Sequence, residues 1–116
     1  MPHIHLETTA DLSENAEVPD ILEALTGRLA AFDSIPDYAI KSFHSLLSVW
    51  CVGDGGAPGF AHCEIALLRG RSVEERREIA QAMMVIMREQ FATSIEEGLV
   101  QVTLELREMD SETYMK

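Results

Sequence analysis

The chain is short of positive charge, nearly free of cysteine and without any long apolar run. Only 9 residues are Lys or Arg against 20 Asp or Glu, a formal net charge of -11 over 116 residues. That balance repels phosphate backbones and anionic lipid, so neither nucleic acid nor a membrane surface is an expected partner. Cys51 and Cys63 form no CxxC pair and are too few for a disulfide framework; they read as buried thiols of a reducing compartment. No apolar stretch approaches the roughly 20 residues that a membrane span needs. No basic region followed by an apolar run stands at the N-terminus, so no secretory signal is read and a cytoplasmic location is expected. The cluster Gly53-Asp54-Gly55-Gly56 lacks the lysine-threonine pair and following helix of a phosphate loop, and reads as a turn.

What is present suits a small globular fold. The hydrophobic fraction is 47%, ordinary for a core-forming domain, and residues 1–116 read as one domain. A domain this short buries only about two-thirds of its unfolded surface, so a subunit interface would add useful burial.

His3 to Thr8 alternates Ile4 and Leu6 against His3, His5 and Glu7, the pattern of a half-buried strand. Asp11, Ser13 and Asn15 are loop and capping residues, and Pro19 suits a first helical turn. Val18, Ile21, Leu22, Leu25, Leu29 and Phe32 then form one helical stripe that Pro36 brings to an end. A second, bent strand is predicted from Tyr38 to Val52. The order then repeats, with a strand over Phe60 to Leu68 and a loop at Arg69-Gly70-Arg71. Ser72 and Glu75 form a capping box. It opens a helix whose buried face is Ile79, Met83, Ile86, Met87, Phe91 and Ile95, with Gly98 to end it. From Leu99 to Arg107, Val100, Val102, Leu104 and Leu106 alternate with Gln101, Thr103, Glu105 and Arg107. The fold class is therefore α+β. Two strand-helix-strand repeats, about 2–52 and 60–108, give a four-stranded mixed sheet with both helices on one face. Each repeat should hold its two strands parallel. The open face, carrying His3, His5, Glu7, Gln101, Thr103 and Glu105, suggests solvent or a symmetric partner.

Pro2 precedes the first strand directly. Methionine aminopeptidases generally remove Met1 before a small residue, which would leave a secondary amine held at a sheet edge. An apolar pocket and a nearby cation would draw its pKa from near 8 towards neutrality, where a proton shuttle works best. Taken alone, a second-position proline is more often just the neighbour of a start codon.

The whole chain, however, resembles the 5-carboxymethyl-2-hydroxymuconate isomerases of the tautomerase superfamily. The residues that carry the likeness are Met1-Pro2-His3, Ala39-Ile40-Lys41-Ser42, Trp50 followed by Gly53-Asp54-Gly55, and Gly70-Arg71-Ser72. The likeness runs from Pro2 to about Met109. It implies a tautomerase-like homotrimer and a cofactor-free proton transfer within a small anionic substrate. That substrate would be an unsaturated 2-hydroxy or 2-oxo di- or tricarboxylic acid from aromatic-compound catabolism. It also implies that Pro2 is the base and that Arg71 binds a carboxylate or steadies charge on the C2 oxygen. Lys41 would bind a second carboxylate.

Two positions depart from the family pattern. Lys41 stands for an arginine and loses its bidentate fork, and Phe43 stands for a basic residue. The chain also stops at Lys116, short of the family's tail. These departures leave open a trimeric, non-catalytic binding protein of the same fold. His3 with His5, and His62 with Glu64, have a spacing by which strands offer metal ligands, but read better as polar side chains of the open face. Met83, Met84 and Met87 read as core.

Overall fold

The structure, a computed structural model, describes residues 2–116. Four strands, β1 (His3–Thr9), β2 (Lys41–Leu47), β3 (Gly59–Leu68) and β4 (Val100–Met109), form one sheet in the order β2-β1-β3-β4. β1 with β2 and β3 with β4 are parallel, while the central pair β1 and β3 is antiparallel. The two repeats thus meet along their first strands and make a mixed sheet. Helices α1 (Val18–Ala30) and α2 (Val73–Gln90), followed by the short α3 (Ala92–Glu96), cover one face and touch each other.

Strand alternation places the core. Ile4 and Leu6 of β1 and Ala61, Cys63, Ile65 and Leu67 of β3 are buried beneath Ile21, Leu25 and Leu29 of α1 and Ile79, Met83 and Met87 of α2. The opposite face is polar. There His5 shares a hydrogen bond of 2.8 Å with Ser45 and stacks on Phe43 at 4.3 Å. His62 shares one of 2.7 Å with Thr103. Arg107 and Glu64 form an ion pair at 3.6 Å.

Five expectations are corrected. α1 stops at Ala30 rather than running to Pro36. Asp33 and Ser34 favour turns over helix, and Pro36 excludes Ile35 from the helical region. The residues expected to cap α1 do other work. A 3-10 turn over Ser13–Glu17 precedes the helix, whose N-cap, Glu17, makes no side-chain cap. The second strand is seven residues long, because its partner β1 ends at Thr9; a 3-10 turn, Asp37–Ala39, precedes it. The loop after it is closed by Trp50, whose indole donates to the Pro58 carbonyl at 2.9 Å. Cys51, expected to be buried, is exposed on that loop. Cys63 is buried, and burial, with Glu64 adding to it, pushes its thiol up to about 12.

The second helix also bends where continuity was expected. α2 ends at Gln90 and α3 begins at Ala92, with the fully buried Phe91 between them. The bend turns Ser94 inward and leaves Ile95 40% exposed. Ser94 is held by the Glu14 carboxylate, which accepts from its backbone N–H at 3.0 Å and from its hydroxyl. A buried polar chain lies nearby under the sheet. The Thr8 hydroxyl donates to Asn15 Oδ1, and Asn15 Nδ2 donates to the Thr9 carbonyl at 2.9 Å. With its one hydrogen committed, Thr8 can only accept from His44 Nε2, 2.7 Å away, which puts a proton on that nitrogen.

Glu14 makes a testable link between acidity and stability. Partial burial raises its pKa, but the hydrogen bonds from the Ser94 hydroxyl and amide outweigh this, so it lies below the model-peptide value of 4.5. Its contribution is therefore complete above pH 4.5 and is lost as pH falls through the lower folded-state value. Glu14→Gln should lower the melting temperature at pH 7. It should also flatten the fall in melting temperature below pH 4.5, as read by calorimetry against the parent chain.

Candidate active site

Sheet pairing fixes Pro2 before any other element of the site. His3 is paired on both sides, with Lys41 of β2 and Ala66 of β3. The Pro2 carbonyl accepts from the Lys41 N–H at 3.1 Å, and Pro2 is buried. By alternation it points as Ile4 does, to the helix side of the sheet. There it lines a cavity of about 260 Å³ together with Pro36, Tyr38, Leu67, Leu68, Arg71 and Lys116.

Arg71 reaches this cavity from the loop between β3 and α2. Gly70 makes the approach possible with φ +130°, a conformation that side-chain-bearing residues rarely adopt. On the other flank the Ser72–Glu75 capping box starts α2, with the Ser72 hydroxyl accepting from the Glu75 N–H at 3.1 Å. The Arg71 carbonyl accepts from Arg76 Nε at 3.4 Å, and Arg76 pairs with Glu108 at 3.6 Å. The Arg71 guanidinium itself is held by the loop after α1. Nε donates to Ser34 Oγ at 3.3 Å, Nη2 to the Ser34 carbonyl at 2.8 Å, and Nη1 to the Leu68 carbonyl at 3.3 Å.

In an acidic molecule, the residues lining this cavity include Arg71 and Lys116 and no aspartate or glutamate. Pro36, Leu67 and Leu68 supply apolar wall. Such a space can take a small anion, with the apolar wall favouring the neutral form of any amine placed against it.

Lys41 lies elsewhere. Its register with His3 puts its side chain on the open face, and it is not among the cavity's lining residues. Next to it, His3 shares a hydrogen bond of 3.0 Å with the Tyr114 hydroxyl. Burial, followed by the Lys41 charge, lowers the His3 pKa. Removal of Met1, on which the Pro2 amine depends, falls outside the described residues. Tyr38, Lys116 and Ser34 were not singled out from sequence. The sequence pattern puts Tyr38 in a strand, and nothing local marks a serine as the partner of an arginine 37 positions on. Among the described residues no group of three metal-ligating side chains gathers to hold an ion. No helix is long and apolar enough to cross a membrane. A larger groove of about 430 Å³, between α3 and β4, contains none of the residues expected to act.

Comparison with known proteins finds relatives over nearly the whole chain. The profile of the 5-carboxymethyl-2-hydroxymuconate isomerases matches residues 2–116. The 5-carboxymethyl-2-hydroxymuconate Delta-isomerase of Escherichia coli is 26% identical over 110 residues, covering 94% of this chain and 87% of that protein. The crystal structure of a 5-carboxymethyl-2-hydroxymuconate isomerase from Deinococcus radiodurans is 28% identical, with a TM-score of 0.91 over 99% of this chain and 87% of that one. A macrophage migration inhibitory factor-like protein from Entamoeba histolytica, 16% identical, shares the fold at a TM-score of 0.67, covering 99% of this chain and 94% of that one.

Fold and relatives together define an isomerase of the tautomerase superfamily. Within that class, the chain belongs to the 5-carboxymethyl-2-hydroxymuconate isomerase family.

The loop that delivers Arg71 can be tested directly. Gly70→Ala should cost about 1–3 kcal/mol, since alanine must be forced into a strained backbone or the loop must move. Thermal melting should show the loss. Turnover of an enol substrate should show a raised KM, as Arg71 is displaced with the loop.

Proposed function

We propose that the chain shifts a proton within an unsaturated 2-hydroxy di- or tricarboxylic acid, with the amine of Pro2 as the base. The supporting observation is that Pro2 and Arg71 line one cavity whose lining side chains include no acid. With Met1 removed, Pro2 presents a rigid secondary amine against the apolar wall of Leu67 and Leu68. Desolvation and the Arg71 charge both disfavour its ammonium form, so it is neutral near physiological pH.

Neutral Pro2 takes the proton of the 2-hydroxyl group, and electrons move through the conjugated system. The same proton returns to a distant carbon, leaving a 2-oxo acid with its double bond shifted. Arg71 binds a substrate carboxylate or the developing charge on the C2 oxygen through its remaining N–H groups. No electron acceptor is needed, because the reaction is an internal rearrangement.

Lys41 binds a second carboxylate in this reading. Its place on the open face means that it would serve a substrate reaching round the N-terminal ends of β1 and β2, or a neighbouring copy. The protein acts as a homotrimer. Support for association comes from the exposed apolar residues Tyr38, Phe43, Leu46 and Val49 beside the unpaired edge of β2. The cytoplasm is the expected place of action.

The absorbance change of 2-hydroxymuconate follows the reaction, and intact mass establishes whether Met1 is gone. Pro2→Ala should lower kcat/KM by about 10²–10⁴-fold. Chemical acetylation of the processed amine should abolish turnover. Full activity in the acetylated protein, or in a chain that retains Met1, would remove Pro2 as the base.

A further inference from the structure

We propose that Ser34 is a positioning residue of the active site, acting through Arg71. The inference rests on the assignment of Arg71 to substrate binding. A guanidinium has five N–H donors in a fixed plane. In this structure three of them are committed: Nε to Ser34 Oγ, Nη2 to the Ser34 carbonyl, and Nη1 to the Leu68 carbonyl. Nε and Nη2 form one side of the plane, and a single residue grips both. What remains, among the described residues, is one N–H on each of Nη1 and Nη2. Those two N–H groups are left to donate to oxygens of a substrate carboxylate.

The grip is itself anchored. Ser34 stands between Asp33 and Ile35, and the Ile35 side chain is 4% exposed in the core. The Ile35 N–H bonds the Phe32 carbonyl at 3.0 Å, and the Ala39 N–H bonds the Pro36 carbonyl at 3.0 Å. Pro36, two residues on, forms part of the cavity wall. The loop after α1 therefore builds one wall and also sets the plane of the cation facing it. An arginine without such partners samples many rotamers and loses that freedom when it binds substrate. Holding it beforehand moves that cost from binding to folding.

Ser34 itself is exposed, so its hydroxyl can be removed with little effect on packing. Ser34→Ala frees Nε and leaves the carbonyl contact. The measurement is steady-state turnover of 2-hydroxymuconate by the wild type, Ser34→Ala, Ser34→Thr, Arg71→Ala and the Ser34→Ala/Arg71→Ala double variant, with melting temperatures alongside. Ser34→Ala should raise KM about tenfold with kcat changed less than twofold, as expected for loss of one hydrogen bond to a charged group. Ser34→Thr should restore KM. In the double variant, loss of the hydroxyl should have no further effect beyond Arg71→Ala.

An unchanged KM in Ser34→Ala, or effects that simply add in the double variant, would overturn the inference. A fall in melting temperature accompanying the rise in KM, without rescue by threonine, would also overturn it and leave Ser34 a structural residue. If Arg71→Ala itself leaves KM and kcat intact, the binding role of Arg71 fails first, which is a separate result.

Discussion

The first strand is hydrogen-bonded on both sides from its first residue, and most of the molecule follows from that. β1 lies between a parallel neighbour and an antiparallel one, so it is the seam at which the two strand-helix-strand repeats are joined. Ile4 and Leu6 can be buried completely only because both flanks are occupied. The same pairing leaves Pro2 no freedom to fray. It is held by its carbonyl and turned to the helix side, against the end of β3. A terminus is ordinarily the loosest part of a chain. Here Pro2, directly before β1, is tied by its carbonyl to Lys41 of β2.

Charge adds a second constraint. The chain is strongly acidic, so an anionic ligand approaches against the overall field. The residues that line the cavity include Arg71 and Lys116 and no aspartate or glutamate. Short-range contacts with fixed geometry decide binding under those conditions, and screening by salt reduces the opposing long-range term. The repeat architecture suits this arrangement. The loop after the first helix and the loop before the second meet over the end of the central strands, and each immobilises part of the other.

Much of this was legible in the residues themselves. The period-two pattern of β1 and β4, the capping box at Ser72 and the glycine-rich turn each report a local preference, and local preference agreed with the fold. The misreadings arose where a distant group intervened. β2 is short because its partner ends, not because its own residues change character. The second helix bends because Phe91 sinks into the core and Glu14, some 80 positions earlier, captures Ser94. Arg71 could be picked out through a family resemblance, whereas Ser34 could not. Its relation to Arg71 exists only after the two repeats have been laid side by side. Lys41 shows the reverse limit, since its place in a motif did not reveal on which face of the sheet it would stand.

The two cysteines end in opposite chemical situations. Cys63 lies in the core with its thiol pushed up to about 12, so almost none of it is thiolate at neutral pH and reagents have no path to it. Cys51 is exposed on the loop that Trp50 ties to Pro58. The folded molecule thus carries a single chemically addressable thiol without any engineering. A spin label or fluorophore attached there would sit just beyond the edge strand β2, where it can report whether another surface comes near. The same reagent becomes a counter of unfolded molecules once it begins to modify the second sulfur.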